Sequence, residues 1–408
     1  MTNSPTRSGP SARTSFGGRR GAIFWLAFKT GLLTVITLGI YRFWMKTRLR
    51  RWYWSATRPA GIPLEYTGQP LEKLLGFLIV VVFLAFYLGL ANLILTFVSL
   101  AVFAEYTFAY VISAIVIAPL WFFAQYRARR YVLARTRWRS IRFGLEPGAW
   151  GYARRALLGW VGVLLTLGLS HPALRFQLEK YRNDRTFYGN HRLHQGGHKT
   201  MLYPAFVHLL IGVFFSAGSL LASLESGQEG IAMMMVVSVP WALFGLVYYI
   251  VEGRRILAAH LTTGAMSLVP RPRVLKVLHI YIVGNLFRVS AAVLILMITG
   301  FLFLAAAAVL SGGFEFLTEM NPDEMAEDVF LTMPAWITGA LGLISYFLLF
   351  LVWSALTHAF LTFPIWRHYA ETLQIDGLEE LEQITQRGRD EFAEAEGFAE
   401  ALDVGAAI

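Results

Sequence analysis

The chain of 408 residues contains no cysteine. That excludes disulfides, thiolate metal sites and cysteine nucleophiles, and leaves the redox compartment open. Charge is scarce too: Asp, Glu, Lys and Arg fill 15% of positions, against 56% hydrophobic residues. Soluble domains carry about a quarter charged residues, so this is the composition of a membrane protein. Lys and Arg are missing altogether from three windows, Leu74–Tyr126, Thr200–Gly253 and Val289–Trp366. Enzyme signatures are also missing. There is no Gly-Lys dipeptide and hence no P-loop, no HExxH, no GxSxG and no dinucleotide fingerprint. The reading is therefore of a non-enzyme without a cofactor.

What is present completes the pattern. All 36 Lys and Arg lie outside the three windows, and acids fall near the middle of each. These are Glu105 in the first window, Glu225 and Glu229 in the second, and Glu315, Glu319, Asp323, Glu324, Glu327 and Asp328 in the third. A helix needs roughly 20 apolar residues to cross the hydrocarbon core, so each window accommodates two spans and a turn. The positive-inside rule puts every basic segment in the cytoplasm and every acidic turn outside. This predicts an all-α polytopic membrane protein with three transmembrane hairpins of one orientation, at about 74–126, 200–253 and 289–366.

Two further apolar stretches, about 22–44 and 156–174, have basic residues on both sides. If the second crosses, the basic loop 175–199 lies outside and the following hairpin inverts, against the charge rule. If it re-enters, or lies in the inner interface, all charges agree. Thr37-Leu38-Gly39 and Thr166-Leu167-Gly168 permit such a bend. Six spans with two re-entrant segments and eight plain spans both stay open. Around this integral domain (21–375), residues 1–20 read as a disordered basic arm and 376–408 as an acidic cytoplasmic tail. The tail has the spacing of an amphipathic helix able to dock on the basic segments.

A degenerate repeat runs through the chain. TLGI at 37–40 matches TLGL at 166–169, and Arg50-Arg51-Trp52 with Thr57-Arg58 matches Arg129-Arg130-Tyr131 with Thr136-Arg137 at a constant offset of 79. Looser copies are Arg254-Arg255 with His260 and Gly264, and Pro364, Trp366-Arg367 and Tyr369 up to Gly377. In each, a membrane segment ends in aromatics, then a basic run, then a short β-like stretch and a glycine. Aromatics favour the headgroup level, and Arg and Lys reach the phosphates beyond it. The runs serve at least as stop-transfer anchors; stacked together, they form a surface for anionic lipid or a charged partner. The residues for that contact are Arg48, Arg50, Arg51, Arg127, Arg129, Arg130, Arg137, Arg182, Arg254, Arg255 and Arg367.

TLGIYRFWMKTRLRRWYW (37–54) followed by LEYTG (64–68) resembles the YjgN family of bacterial inner-membrane proteins, as do RRYVLARTRWRSIRFG (129–144) and PIWRHYAETLQIDGL (364–378). The resemblance runs from about Phe16 to Leu378. It departs near 168–190, where this chain has SHPALRFQLEKYR (170–182) in place of a Tyr/Pro/Trp and Ala-Lys-x-Arg pattern. It implies a multi-pass protein of the inner membrane and supplies no activity.

Other chemistry is sparse. His191, His194 and His198 have the spacing HxxHxxxH, but Gly196 and Gly197 break the helix such a zinc site needs. No metal is expected there. Lys29, His208 and His358 are polar groups in apolar segments, where ionisable residues are costly and suggest function. They carry the alternative reading, a transporter or channel for a small solute. No carboxylate sits in mid-span, which counts against a proton-driven pump. Asn92 and Asn285 read as hydrogen-bonding groups between helices. The expected partners are the phospholipid bilayer and its anionic lipids, with no nucleic acid.

Overall fold

The computed structural model describes residues 10–103, 107–227, 233–310 and 333–388. The predicted acidic turns at Glu105, Glu229 and Glu315–Asp328, and the tail beyond 388, lie outside the described residues. After strands β1 (Ala12–Arg13) and β2 (Ser15–Phe16), the chain forms helix α1 (Arg20–Ile36), a turn, and α2 (Arg42–Ala56). Strands β3 (Thr57–Arg58) and β4 (Leu64–Tyr66) lead to α3 (Pro70–Phe86) and α4 (Asn92–Phe103), joined by a π-helical segment at Tyr87–Ala91, and then α5 (Thr107–Ala134). Next come β5 (Thr136–Trp138), β6 (Ile141–Leu145), α6 (Ala149–Leu165), a second turn and α7 (His171–Asn183). Strands β7 (Thr186–Tyr188), β8 (His191–Arg192) and β9 (His194–Gln195) precede α8 (Tyr203–Ser226) and α9 (Met235–Ala259). Last are β10 (Leu261–Thr263), β11 (Met266–Pro270), α10 (Val274–Leu310), α11 (Ala335–Leu356), α12 (Phe363–Glu371) and β12 (Leu373–Asp376).

Five helices are long and apolar enough to cross a membrane: Phe108–Ala134, Tyr203–Glu225, Met235–Ala259, Val274–Leu310 and Ala335–Glu371. A shorter apolar helix covers Gly89–Val102. They fall within the three windows free of basic residues, or run past their ends.

The chain divides into two compact units. The first takes in the described residues of Met1–Gly18, Lys46–Leu278 and Trp366–Ile408; the second is Arg19–Met45 with His279–Ile365. In the first unit, small residues set the approach of α8 and α9. A Cβ on Gly212 would lie 2.4 Å from the Cα of Ala242, and one on Gly245 would lie 2.5 Å from the backbone N of Leu209. Ser216 donates to Ser238 at 3.1 Å across the same seam. This is the close packing expected where lipid gives helices no hydrophobic reason to associate. In the second unit, α1 presents Ala27, Thr30, Gly31 and Thr34 as a buried face, and a Cβ on Gly31 would meet Leu351 of α11 at 2.8 Å.

The two turns at the awkward apolar stretches have the same hydrogen bonds. In the first, Leu38 N–H donates to Val35 O (3.1 Å) and Gly39 N–H to Thr34 O (2.7 Å). In the second, Leu167 N–H donates to Leu164 O (3.2 Å) and Gly168 N–H to Val163 O (2.7 Å). These pairs form Schellman caps. The Thr37 hydroxyl accepts Tyr41 N–H at 2.9 Å and the Thr166 hydroxyl accepts Ser170 N–H at 3.1 Å. Gly39 and Gly168 sit at φ +94° and +90°, where a side chain is strained. After the second turn the chain doubles back. Gly151 and Gly159 on α6 face Tyr181 and Leu174 on α7, so the two helices run antiparallel.

The short β-like stretches assemble into sheets. One has the order β4-β5-β6-β7-β8, the other β1-β12-β11-β10-β9, and β2 pairs with β3. Two-residue loops close β5–β6, β7–β8 and β10–β11, at Arg139-Ser140, Gly189-Asn190 and Gly264-Ala265. Five of those six residues are tight-turn formers or stand at positive φ, as such loops require. Only Leu193 separates β8 from β9 and only Thr14 separates β1 from β2, so at both places the chain steps from one sheet edge to the next. Trp138, Tyr188, Met266 and Ile375 from the two large sheets share one core with Leu381 and Ile384. Helix dominates the chain as expected, but all-α is too narrow a description.

The same strands correct the reading of both ends. Residues 12–16 are not a free arm: β1 pairs with β12 and β2 with β3. The start of the tail docks on the basic sheets, as its charge suggested, but as a 3-10 turn at Leu378–Glu382 followed by an extended segment instead of a helix. Glu380 accepts from the N–H groups of Ala265 and Met266, while Thr385 and Asn190 exchange hydrogen bonds at 3.0 Å.

Candidate anion-binding site

The arginines expected to face lipid divide by burial. Arg50 is 1% exposed; it donates to Tyr66 Oη at 3.2 Å, with its guanidinium 5.1 Å from that ring. Arg130 is 6% exposed and donates to Leu145 O at 2.9 Å. Neither presents charge to a surface. Arg127 lies over the Phe123 ring at 5.4 Å, and Arg137 is half-buried on β5 between Glu65 and Arg142. Arg129 reaches Asn183 Oδ1 at 3.3 Å and Arg182 pairs with Glu179. Burial alone would raise the Glu179 carboxyl, but Arg182, Arg129 and Arg175 hold it below its ordinary value. That cluster is compensated from within.

The exposed members also have partners. Arg51 donates to Gly68 O at 2.9 Å, Arg255 to Glu252 at 2.8 Å and Arg367 to Glu371 at 2.7 Å. Arg254 sits 5.5 Å from the Tyr369 ring, and Arg48 is exposed on α2.

Free positive charge collects elsewhere, in a cavity of about 620 Å³ lined by Arg13, Arg271, Arg273, Lys276, His368 and Glu371, with Thr372 and Gln374 among its other walls. Arg13 comes from β1 and stands opposite Gln374 of β12. The backbone N–H of Arg271 is tied to Thr372 O at 2.9 Å, and that of Arg273 to His368 Nε2, also at 2.9 Å. Pro272 between them has no N–H to satisfy. Two backbones are thus pinned while two guanidinium groups stay free. Among the described residues, Arg13, Arg271, Arg273 and Lys276 make no ion pair or cation–π contact. The cavity adjoins the start of α10, where Leu275 is 71% exposed, an apolar side chain turned outward beside a cationic wall.

Sequence reasoning passed over these residues. Arg271, Arg273 and Lys276 stand in plain view as a basic run before an apolar one, but outside every copy of the repeat. Arg13 joins them only through the pairing of β1 with β12, which no local pattern reveals.

The other candidates are resolved locally. His191 Nδ1 lies 3.3 Å from Glu380 and His194 Nδ1 lies 3.8 Å from Asp184, on strands of different sheets. No group of three His, Cys, Asp or Glu among the described residues is placed to hold a metal. His208 is packed edge-on against Trp241, Phe244 and Tyr248, with its Nδ1 buried and unpaired. His358 lies in a π-helical segment at Thr357–Thr362, and Lys29 is exposed on α1. Asn285 bonds within its own helix, donating to Tyr281 O and accepting from Arg288. Asn92 Oδ1 is buried without a partner.

Compared with known families, residues 11–290 match DUF898, described as a bacterial protein of unknown function. The YjgN resemblance agrees with that match. No curated protein and no solved structure matches the chain.

Proposed function

The chain belongs to the DUF898 family of bacterial proteins of unknown function, and from that premise we propose that it is a non-catalytic, multi-pass protein of the inner membrane that engages anionic lipids at its cytoplasmic face. The spans are six, in three hairpins of one orientation, and the stretches 22–44 and 156–174 are re-entrant copies of one repeat. The shared hydrogen bonds of the two turns support this reading. So does Leu38, 90% exposed, and Leu167, 92% exposed, each at positive φ. A leucine costs about 1–2 kcal/mol in that conformation, where glycine fits freely. An apolar side chain at such a tip is favoured when the tip lies in hydrocarbon. Helix α7 carries Arg175, Glu179, Lys180 and Arg182 within thirteen residues and is too polar to cross.

The observation that carries the lipid reading is the cavity: cations without counter-charge beside an outward-facing leucine. Each Lys or Arg near an anionic leaflet contributes on the order of 1 kcal/mol. The test is phosphatidylglycerol titrated into purified, detergent-solubilised protein and read by thermal unfolding. Stabilisation by this lipid, lost in Arg271→Gln/Arg273→Gln and not reproduced by phosphatidylcholine, is the expected result. Equal stabilisation by both lipids removes the reading.

A further inference from the structure

The cavity holds more positive charge than one phosphodiester neutralises. Arg13, Arg271, Arg273 and Lys276 all line it, and its carboxylate, Glu371, is engaged by Arg367 at 2.7 Å. His368 accepts the Arg273 N–H at Nε2, so its ring carries a proton on Nδ1 as a donor. No acid occupies the first turn of α10, so Arg273 and Lys276 gather at the positive end of that helix, where an anion is favoured and further cations are not. The volume of about 620 Å³ far exceeds a single phosphate and falls in the range of roughly 300–1,000 Å³ typical of small-molecule sites. Guanidinium forks bind phosphate oxygens two at a time, and the pinned backbones of Arg271 and Arg273 hold two such forks on either side of Pro272.

Resting on the lipid reading above, we infer that the cavity binds a ligand with two adjacent phosphates, a diphosphate, carried either by a lipid headgroup or by a soluble molecule. Two linked phosphates supply two to three negative charges, closer to the four uncompensated cations than the single charge of a phosphodiester. A phosphodiester such as phosphatidylglycerol occupies the same cavity and leaves part of it unfilled.

The experiment is calorimetric titration of the full chain in uncharged detergent with inorganic pyrophosphate and, separately, inorganic phosphate. Pyrophosphate binds at least ten-fold more tightly. Arg271→Gln/Arg273→Gln weakens it at least ten-fold, and Arg192→Gln, an exposed arginine outside the cavity and paired with Glu146, leaves it unchanged. Lys276→Gln is the second variant should the double substitution fail to fold, with a several-fold loss expected. A prenyl diphosphate in the same detergent distinguishes the sources: tighter binding than pyrophosphate marks a lipid ligand, equal or weaker binding a soluble one, and either outcome upholds the inference. Equal affinity for phosphate and pyrophosphate, or pyrophosphate binding indifferent to both variants, overturns it. If phosphatidylglycerol still depends on Arg271 and Arg273 in that event, the lipid reading stands alone; if it does not, both fall.

Discussion

Two clusters of basic side chains in this protein are built in opposite ways. Around α7, Arg129, Arg175 and Arg182 converge on Glu179, and the surrounding amides of Asn183 and Gln195 continue the network inward at 2.7 Å. At the start of α10, Arg13, Arg271, Arg273 and Lys276 line an open cavity with no ion pair of their own among the described residues. The two are similar in composition and differ in counter-charge. The density of Arg and Lys therefore does not tell a structural cluster from a binding one. What separates them is whether the fold supplies the anion.

The largest effect expected from that contrast is at Glu179. Glu179→Gln leaves three guanidinium groups around a neutral amide; losing one partner of a fully buried pair costs about 3–5 kcal/mol, an upper bound here because Arg182 and Glu179 stay 17% and 25% exposed. The Glu179 carboxyl is held below its ordinary range in the folded chain. Its contribution is thus complete above that range and lost as pH falls through it towards the folded value. Denaturant unfolding across acid pH should show this slope in the natural chain and a flatter one in the variant. An unchanged stability would mean that the cluster is not compensated by Glu179. Next in size is Arg271→Gln/Arg273→Gln, expected to weaken phosphatidylglycerol about ten-fold, or roughly 1.4 kcal/mol, without lowering the unfolding temperature. A large fall in that temperature would place these arginines with the structural set.

How much of this was legible in the sequence follows from how each feature is encoded. The long apolar helices are written in runs of apolar residues and in gaps between basic ones, both local signals. The turns at 37–41 and 166–170 were legible too, because Thr-Leu-Gly appears twice in apolar stretches with basic residues on both sides. The sheets were not, since their strands are two to five residues long and pair across the chain: Ala12 with Ile375, Tyr66 with Thr136. For the same reason Arg13 looked like part of a loose arm. Arg50 and Arg130 looked like surface charges because periodicity at a membrane exit does not show that Tyr66 or the Leu145 carbonyl will cover them. Asn285, expected to bridge helices, finds its partners one turn away along its own.

Two smaller effects sharpen the comparison. Raising salt from about 0.05 to 0.5 M should weaken phosphatidylglycerol several-fold, because the cavity is open to screening, while leaving the Glu179 contribution nearly intact. Parallel titrations and unfolding curves at the two salt concentrations would show it; equal salt sensitivity would erase the distinction. Smallest is Glu371→Gln. Its exposed pair with Arg367 contributes about 0–1 kcal/mol, so stability should barely move, while anion affinity rises as the cavity loses its carboxylate. A fall in affinity would mean that Glu371 assists the ligand.

All of this requires that both sheets and the cavity lie on one side of the membrane, and that depends on the second apolar stretch turning back at Leu167. The natural absence of cysteine makes the test direct. Lys199→Cys and Glu225→Cys, at opposite ends of α8, are probed separately in intact cells with a membrane-impermeant maleimide. Labelling at 225, with 199 reached only after the membrane is opened, is the predicted result. Labelling at 199 with 225 protected would mean that 156–174 crosses, that the following hairpin is inverted, and that the basic face is divided between the two sides of the membrane.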